Sequence, residues 1–310
     1  MPIDVALLGC AHPHVPDMLG VLASEPDLRL VAVWDDDPAA IPAAIAGAAV
    51  RRAEAAIRRA HAVVICAPVH QRPALCEQAA RAGRPLLVEK PIARSAAEAR
   101  AVAQQVGRSR TPAQAALFLR QLPALARLRA LLAEGGIGRL ASTSASFSHP
   151  GALDGWFDGP RAWMRDLRRA GVGGFGDLAL HLLDALTVLG VDDAPRLAAV
   201  TLDRPSAGQA DLGGVAVGSW AGAPLTVRAG WASRPGGLEL SLAGGGETAT
   251  LRDGVLELDA GGGRWVGAPP DAGEALRAFA ARLRTRRLPR DGLAPAVRAQ
   301  ERLEAAVPLG

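Results

Sequence analysis

The sequence has 310 residues, enough to bury a large core, and this length fits two domains better than one. Half of the residues are hydrophobic and about a fifth are charged, which excludes a disordered chain, and no apolar run reaches the roughly 20 residues that a membrane-spanning helix needs. The net charge is only +4 and the arginines are spread along the chain, apart from one dense run at 284–290. We therefore expect neither a nucleic-acid partner nor a membrane.

The N-terminal segment and the cysteines indicate where the protein acts. The apolar run that begins at residue 3 has no basic segment before it, so we interpret it as a strand and not as a signal peptide. Cys10, Cys66 and Cys76 are an odd number of cysteines at scattered spacing and make no disulfide framework. These features predict a soluble, cytoplasmic protein.

The first third of the chain alternates short apolar runs with Ala-rich helical stretches. Strands without polar alternation, interleaved with helices, are typical of a parallel sheet covered on both faces. A glycine turn follows the first run, which favours a doubly wound, Rossmann-type nucleotide-binding fold. The apolar runs lie at residues 3–9, 28–34, 61–67 and 85–89.

The pattern changes near residue 120. Short runs that alternate or are interrupted by glycine predict a large open, mostly antiparallel sheet, accompanied by helices, in an α+β domain. We place a dinucleotide-binding domain at 1–118 and a second domain at 119–310. The predicted strands lie at 139–147, 196–203, 213–219, 224–232, 237–243, 247–251 and 254–258, and the predicted helices at 122–134, 176–189, 271–286 and 292–306.

The first candidate site is the turn Gly9-Cys10-Ala11-His12-Pro13-His14. Glycine permits the tight turn and the close approach of a pyrophosphate to the helix that follows, and Ala11 is small enough to allow that approach. His14 stands where the last glycine of a dinucleotide fingerprint is expected. The alternative is a metal site, because cysteine and histidine are ligand types, but alternate positions at a strand end rarely converge on one ion. We expect no metal.

Asp35 ends the second predicted strand, 26 residues after Gly9. A carboxylate at this place accepts hydrogen bonds from the adenosine ribose and repels a 2′-phosphate. Asp36 and Asp37 follow directly and no basic residue precedes Arg51, so the sequence favours NAD over NADP. The same acidic residues before a proline are also good turn and N-cap chemistry, and both roles are compatible.

Lys90 is the single lysine among 35 basic residues, and it directly follows a predicted strand. Ligands of open α/β sheets bind at the carboxyl ends of strands. Arginine replaces lysine easily on a solvated surface but not where a compact ammonium group must exchange a proton. A lone lysine at a strand end can also be a surface residue that extends its charge into water. Its uniqueness and position favour a functional role.

A polar stripe marks the predicted helix at 176–189. Leucines and valines cover most of its circumference, which predicts a buried helix. Asp177, His181 and Asp184 lie at i, i+4 and i+7, on one face. Polar groups on a buried helix must find partners or line a cleft, so this stripe is a candidate site.

Taken together, these segments resemble the glucose–fructose oxidoreductase and inositol dehydrogenase family, written Gfo/Idh/MocA. The resemblance extends over nearly the whole chain and rests on VAVWDDDP, VVICAP, AARAGRPLLVEKPIA and GGFGDLALHLLD. It implies an N-terminal Rossmann domain, a substrate-binding and oligomerisation domain with a large open sheet at 119–310, and a catalytic set of Lys90, Asp177 and His181. The cofactor-binding residues that it implies are Gly9, Ala11, His12, His14, Asp35, Pro68, His70, Glu89 and Lys90.

The sequence departs from the family pattern at three places. The glycine fingerprint is reduced to Gly9, Ala11 and His14, and Ala179 replaces a glycine in the site helix. The third-strand loop of the family often reads P-N-x-x-H, but here Arg72 stands where the histidine is common. We expect this change to alter contacts with the nicotinamide or the substrate.

The resemblance implies that NAD, or alternatively NADP, exchanges a hydride with a secondary alcohol of a sugar, inositol or related polyol. His181 is the expected base, Asp177 its partner, and Lys90 the hydrogen-bond donor to the reacting oxygen. The irregular segment 149–166 is expected to contact the carbohydrate-like substrate. The candidate substrate residues are Arg72, Trp156, Arg161, Trp163, Arg165 and Asp184.

Two alternatives remain at this point. One is a non-catalytic NAD-binding sensor or scaffold of the same fold, which the weakened glycine turn would suit. The other is an NADP-dependent reductase of carbonyl or imine substrates. Because an open sheet in this family commonly buries its free face against a second subunit, we also expect a homodimer or homotetramer.

Overall fold

A computed structural model describes residues 1–190, 194–206, 208–261, 263–289 and 291–307. The last residue of the basic run at 284–290 lies outside these ranges. None of the described helices is both long and apolar enough to cross a membrane. The helices are α1 Val15–Ser24, α2 Ala53–Arg59, α3 Arg72–Arg81, α4 Ala96–Arg108, α5 Pro123–Ala133, α6 Leu167–Ala170, α7 Gly174–Val188, α8 Glu274–Arg284 and α9 Ala294–Glu304.

The strands form two sheets. The first has the order β2-β1-β3-β4-β5 and the second the order β13-β12-β11-β10-β6-β9-β8-β7. The strands are β1 Ile3–Leu8, β2 Leu28–Trp34, β3 Ala62–Ile65, β4 Leu86–Val88, β5 Ala113–Ala115, β6 Leu140–Ser148, β7 Arg196–Asp203, β8 Gly213–Trp220, β9 Ala223–Gly230, β10 Gly237–Gly244, β11 Thr248–Arg252, β12 Val255–Leu258 and β13 Gly263–Val266.

All five strands of the first sheet are parallel. Strands β3 and β4 are buried along their whole length, as expected for a sheet with helices on both faces. The predicted doubly wound fold is confirmed. The short strand β5, whose sequence Ala-Gln-Ala carries no β-branched residue, has no counterpart among the predicted strands.

Neighbouring strands of the second sheet are antiparallel except for β6 and β9, which are parallel. One face is apolar, as in β10, where Leu238, Leu240 and Leu242 are buried and alternate with more exposed residues. This alternation follows from the period of two along a strand. Strands β6, β8 and β9 pack against α7. The predicted open, mostly antiparallel sheet is confirmed, and its edge strand β13 extends it beyond the predicted strands.

The chain divides into two compact units. The first contains Met1–Leu117, Trp156–Gly171 and Ala272–Arg298, and the second contains Phe118–Gly155, Val172–Asp271 and the residues from Ala299 onward. The sequence analysis placed one boundary, after residue 118. The structure adds two later stretches, 156–171 and 272–298, to the first unit. The segment 156–171 thus belongs with the nucleotide-type sheet, where a 3-10 helix at Gly159–Arg165 replaces the expected irregular loop.

Candidate active site

The turn after β1 is a tight backbone cradle in the first unit. Gly9 has φ +91°, and a Cβ at this position would overlap the backbone of Ala67 at the end of β3. Only glycine satisfies both conditions. The chain then reaches His14, the N-cap residue of α1. The tight glycine turn is therefore present, although the fingerprint keeps only one glycine, and its contact with a pyrophosphate stays a prediction.

Asp35 ties this turn to the end of β2. Its two carboxylate oxygens accept backbone N–H groups, Oδ2 from Cys10 at 2.6 Å and Oδ1 from Asp37 at 2.9 Å. Burial raises the pKa of Asp35, while these two hydrogen bonds oppose the shift. Asp37 in turn accepts the N–H of Ala39 and caps a 3-10 turn. Both oxygens of Asp35 thus have structural partners, and its contact with a ribose stays a prediction.

A cleft of about 750 Å³ adjoins Asp35. Asp36 lies exposed in this cleft and accepts a hydrogen bond from Gln71 at 3.2 Å. The fold returns Arg51 and Arg52 to the same cleft, so acidic and basic side chains line it together. These arginines are about 15 residues from Asp35 and Asp36 in the sequence, so the sequence analysis did not predict that they lie in the same cleft. The further lining residues include Trp34, Ile41, Val50, His70, Ala74 and Leu75.

Arg72 clamps the loop that carries Lys90. Its Nε donates to the carbonyl of Ala67 at 2.8 Å, and its Nη1 donates to the carbonyls of Glu89 at 3.0 Å and Pro91 at 2.5 Å. The two latter carbonyls flank Lys90 on either side. The guanidinium is fully buried and donates to backbone carbonyls through Nε and Nη1, and the expected nicotinamide or substrate contact of Arg72 stays a prediction. Lys90 is itself 2% exposed, an uncommon position for an ammonium group.

A compact polar cluster joins the turn to this loop. His14 Nδ1 lies 2.9 Å from Glu89 Oε1, and Glu89 is 1% exposed. Burial by itself would raise the pKa of Glu89, but His14, Lys90 and Arg72 together hold it below its usual value. His12 accepts the backbone N–H of His14 at 3.2 Å, and burial lowers the pKa of His12 well below its usual value. The carboxylate is thus held ionised and His12 neutral.

Potential metal-ligand atoms of His12, His14 and Glu89 lie within 4.8 Å of one another. The cationic side chains of Arg72 and Lys90 act on the same groups and oppose the binding of a metal cation. Burial raises the pKa of the Cys10 thiol to about 12, which makes it a poor ligand. The charges around this cluster suit an anion.

Trp163 packs against the nucleotide turn. Its indole N–H donates to the carbonyl of Ala11 at 2.7 Å, and its ring stacks on His12 with 6.2 Å between ring centroids. The guanidinium of Arg72 lies 5.9 Å from the centre of the same ring. The indole N–H and the ring of Trp163 thus have partners in the turn, and a substrate contact of Trp163 stays a prediction.

The remaining candidates of the first unit differ in exposure. Trp156 is 39% exposed, Arg161 is half-buried, and Arg165 is exposed and pairs with Asp158 at 3.4 Å. A substrate contact of these side chains stays a prediction. Pro68 and His70, by contrast, flank the start of a short 3-10 turn after β3, and His70 reaches the cleft beside Asp36.

In the second unit, the glycine-rich run before α7 lies against Asp211. The carboxylate of Asp211 accepts the N–H of Phe175 at 2.6 Å, and its backbone carbonyl accepts that of Gly174 at 2.7 Å. A Cβ on Gly173 would overlap the Asp211 side chain. Asp211 therefore satisfies the orphan amides at the start of the helix, and the glycines permit this approach. Nothing in the local sequence pattern identifies this partner.

The polar stripe of α7 is buried, and each member has a different environment. Asp177 accepts the indole N–H of Trp231 at 2.9 Å. His181 packs against Phe118 and Phe147, with ring centroids 4.5 and 6.0 Å away. The sequence analysis thus identified the stripe but not Trp231, a buried tryptophan that directly follows β9.

Asp184, the third member of the stripe, forms a two-pronged ion pair with Arg120. The carboxylate oxygens lie 2.6 Å from Nε and 2.7 Å from Nη2. Asp184 is buried while Arg120 is partly exposed. This pairing fixes the helix face, and a substrate contact of Asp184 stays a prediction. Of the implied catalytic set, Lys90 belongs to the first unit, and Asp177 and His181 belong to the second.

Two family models match this chain, one in its N-terminal part and one in its C-terminal part. The model of an oxidoreductase family with an NAD-binding Rossmann fold matches residues 3–114, and that of the GFO/IDH/MocA C-terminal domain matches residues 125–250. A solved 3-ketoreductase from Actinomadura kijaniata, in complex with NADP and TDP-benzene, superposes with a TM-score of 0.82 over 99% of this chain and 97% of that one. At 20% identity this similarity shows a shared fold.

Two dehydrogenases are similar in sequence. Levoglucosan dehydrogenase of Pseudarthrobacter phenanthrenivorans is 32% identical over 40% of this chain and 31% of its own length. Inositol 2-dehydrogenase of Rhizobium meliloti is 32% identical over 62% of this chain and 57% of its own length. The chain thus spans about a third and a little over half of these two relatives. With both domain models of one family matched in order, the chain belongs to the Gfo/Idh/MocA family of oxidoreductases.

Proposed function

We propose that this protein transfers a hydride between a nicotinamide dinucleotide and a secondary alcohol of a sugar, inositol or related polyol. The observation that carries the proposal is the burial of Lys90, Asp177 and His181. Arg72 anchors the backbone on either side of Lys90, the indole of Trp231 donates to Asp177, and two phenylalanine rings pack against His181. Buried polar groups are costly and persist where function requires them. The dehydrogenase names of the two sequence relatives support a polyol or anhydrosugar as the substrate class.

The first unit suits a dinucleotide in shape and charge. Gly9 opens the turn before α1, the adjoining cleft has room for an adenosine, and Asp35 and Asp36 lie where ribose hydroxyls are bound in such folds. The bound nicotinamide would supply the hydride acceptor or donor. His12 and His14 would adjoin the pyrophosphate, and Pro68, His70 and Glu89 would complete the cofactor contacts.

The side chains divide the remaining chemistry. His181 takes the hydroxyl proton as the hydride leaves carbon, because an imidazole exchanges protons near neutral pH. Asp177, one helical turn earlier, orients the imidazole or passes its proton on. Lys90 donates a hydrogen bond to the reacting oxygen and stabilises the developing alkoxide.

A spectrophotometric screen tests this function. The protein is incubated with NAD and a panel of sugars, anhydrosugars, inositols and other polyols, and NADH formation is recorded at 340 nm. We expect turnover with at least one class of polyol, and a turnover lower by roughly 10²–10⁴-fold in His181→Ala. Tight NADH binding without turnover of any polyol, or of the corresponding ketones with NADH, would instead identify a non-catalytic sensor or scaffold.

For the cofactor we propose a preference for NAD(H). Asp36 is exposed in the cleft and repels a 2′-phosphate, and Asp35 adds a second negative charge. Asp36→Ser should narrow the gap between the NADH and NADPH dissociation constants. Asp35→Ser should narrow it too, but with a loss of stability, because it also removes two amide partners.

A specific observation favours NADP as the second candidate. Arg51 and Arg52 line the same cleft and could bind a 2′-phosphate, as suits the NADP-dependent carbonyl or imine reductase considered above. Tighter binding of NADPH than of NADH by the unmodified protein, lost in the double variant Arg51→Ala/Arg52→Ala, would support this alternative and overturn the NAD preference.

We also propose a homodimer or homotetramer that covers the solvent-facing side of the second sheet. Val215 and Val217 on β8 are 39% and 50% exposed on that side. Exposed branched side chains on a broad sheet are typical of a surface that a second subunit covers. Light scattering that gives a monomeric mass at micromolar concentration would refute this proposal.

A further inference from the structure

Arg72, the first residue of α3, is a fully buried arginine. Such burial is uncommon, because the charge and the five N–H donors of a guanidinium lose their hydration and must find partners in the protein. The partners of Arg72 are backbone carbonyls: Nε donates to that of Ala67, and Nη1 donates to those of Glu89 and Pro91. A side chain that is buried in this way also fixes the backbone groups that it contacts.

The three carbonyls lie in the loops that follow two neighbouring strands. Ala67 comes after β3, and Glu89 and Pro91 come after β4, which pairs with β3 in parallel. Arg72 therefore links two adjacent loops at the carboxyl edge of the sheet, where ligands of such folds bind. Lys90 lies between Glu89 and Pro91 in the second of these loops.

The peptide group that precedes Lys90 is held at both of its ends. Its carbonyl, which belongs to Glu89, accepts from Arg72 at 3.0 Å, and its N–H donates to the carboxylate of Glu89 at 3.1 Å. On the other side of Lys90, the carbonyl of Pro91 accepts from the same Nη1 at 2.5 Å. Rotation of the backbone at Lys90 would break these hydrogen bonds. The direction in which the lysine side chain leaves the backbone is therefore fixed.

A third segment of the first unit contacts the same guanidinium. The centre of the Trp163 ring lies 5.9 Å from Cζ of Arg72, a distance at which a cation and an aromatic ring attract each other. The indole N–H of Trp163 donates in turn to the carbonyl of Ala11. Arg72 is thus held in place from outside the two loops that it links.

A fixed backbone at Lys90 matters for the proposed reaction. Lys90 would donate to the reacting oxygen, and such a donor stabilises the transition state only from a defined position. A lysine side chain is a flexible stem of four carbons, so its own rotamers do not define that position. The fixed backbone limits the region that the ammonium group reaches.

We propose that Arg72 is a positioning residue, which holds the backbone around Lys90 so that the ammonium meets the reacting oxygen, and which touches neither the substrate nor the nicotinamide. This inference rests on the proposed function and deepens it. Arginine suits the role, since the two ring nitrogens of the histidine that is common at this place in the family are too few for three carbonyls.

The single lysine of the chain allows a measurement that needs no substrate. Protein produced with isotope-labelled lysine shows one set of lysine side-chain signals in an NMR spectrum. In the unmodified protein the two Hε protons should differ in chemical shift and the Cε order parameter should be high, because the side chain is held. In Arg72→Met the two proton signals should merge, and the order parameter should fall toward that of a free lysine.

The matched control for the loss of a guanidinium is Arg84→Met. Arg84 also donates to a backbone carbonyl, that of Arg58 at 3.4 Å. It lies before β4, however, at the opposite end of the strand from Lys90. The control should leave both the lysine signals and turnover unchanged.

A double-variant cycle separates positioning from direct contact. Arg72→Met should lower turnover roughly 10–100-fold, as expected for a misplaced catalytic group, with little change in the substrate KM or in NADH affinity. In a Lys90→Met background the same substitution should cause no further loss, because no ammonium remains to be positioned. Single-turnover rates with enzyme in excess make these slow variants measurable. Direct contact would instead raise KM or the NADH dissociation constant, and its loss would persist without Lys90.

A charge-conserving variant tests whether the hydrogen bonds or the charge of Arg72 matter. Arg72→Lys keeps the positive charge, but a single ammonium nitrogen cannot replace a planar fork that reaches carbonyls after two strands. Its turnover should stay close to that of Arg72→Met. Normal turnover of Arg72→Lys would mean that charge alone suffices, and it would overturn the proposal.

The outcomes separate this inference from the proposed function. If the unmodified protein turns over no polyol or ketone with either cofactor, the function fails, while the lysine signals still report whether Arg72 holds Lys90. If turnover is observed but Arg72→Met leaves the lysine signals unchanged, or lowers turnover as much without Lys90 as with it, the function stands and the positioning role is overturned. Should Arg72→Met not fold, Arg72→Lys takes its place in the cycle, and a mobile Lys90 side chain in the unmodified protein would by itself overturn the proposal.

Discussion

The candidate residues of the two units are held in place by different means. In the first unit, the guanidinium of Arg72 donates to the carbonyls of Glu89 and Pro91, the residues before and after Lys90. The backbone of the loop that carries Lys90 is therefore held in place. In the second unit, Asp177 contacts another side chain, the indole of Trp231. A parallel sheet presents its functional groups on loops at strand ends, which need backbone anchors, whereas a helix already fixes its own backbone. Substitution of a partner should therefore disturb a whole loop in the first unit and a single side chain in the second.

The largest expected effect is on turnover. His181→Ala removes the proposed base, so turnover should fall roughly 10²–10⁴-fold while NADH affinity is kept. Steady-state kinetics on the substrate from the polyol screen, beside NADH titration, make the comparison. Because His181 contacts Phe118 and Phe147, the alternative is that it is a structural residue of the core. A large fall in the melting temperature of His181→Ala, with normal turnover by the protein that remains folded, would support this structural role.

The pH dependence of unfolding tests whether Glu89, in the first unit, is ionised in the folded protein. The folded-state pKa of Glu89 is below its reference value of 4.5, so its ionised form stabilises the fold above that pH, and the contribution is lost as the pH falls through the lowered value. Glu89→Gln should therefore cost about 1–3 kcal/mol of unfolding free energy at neutral pH, and less in acid. Urea unfolding at a series of pH values measures this. A cost that is constant with pH would contradict the ionised carboxylate.

Asp211, in the second unit, should have the opposite effect of pH on stability. Burial raises its pKa above the reference value of 3.8, so ionisation of Asp211 opposes folding as the pH rises through that range. Asp211→Asn keeps the acceptor for Phe175 and should change stability by no more than about 1 kcal/mol at neutral pH. Its stability relative to the unmodified protein should decrease toward acid pH.

A smaller effect is expected from the side-chain partner of Asp177. Trp231→Phe removes the indole donor and should lower turnover about tenfold with little change in the Michaelis constant for NAD. Because the donor favours the ionised carboxylate, its loss should move the acidic limb of the pH–rate profile to higher pH. Trp220→Phe, another fully buried tryptophan of the same unit, controls for lost packing. The same pH–rate shift in both variants would contradict a positioning role for Trp231.

The sequence predicted those features of the fold that local patterns determine. Unbroken apolar runs identify the buried parallel strands, and alternation identifies strands such as β10 with one buried face. Strand β5 was not predicted, because its three residues Ala-Gln-Ala carry no such pattern. Residues 156–171 return to the first unit through tertiary contacts such as that of Trp163 with Ala11, which no local pattern encodes.

The long-range partners of the site residues were not predictable from the sequence either. Lys90 and the α7 stripe were recognisable because their residue types stand out against the composition and the helical period. Their partners were not, since Trp231 is 54 residues from Asp177 and the fold alone brings them together. Arg72 was predicted to contact substrate because it replaces a family histidine, but its donors serve carbonyls of the Lys90 loop. Spacing identifies candidate groups, and long-range contacts decide which of them are structural.

The most direct test of the proposed chemistry is the substitution of Lys90 by arginine, because this chain uses arginine at its 34 other basic positions. A site that needs only positive charge should accept Lys90→Arg. Guanidinium is larger, planar and effectively always protonated, so it cannot replace a compact ammonium group at the reacting oxygen. We predict a fall in turnover of roughly 10²–10⁴-fold, with NADH affinity unchanged and with Lys90→Met at least as impaired. Near-normal turnover of Lys90→Arg would contradict the account and remove the lysine from the chemistry.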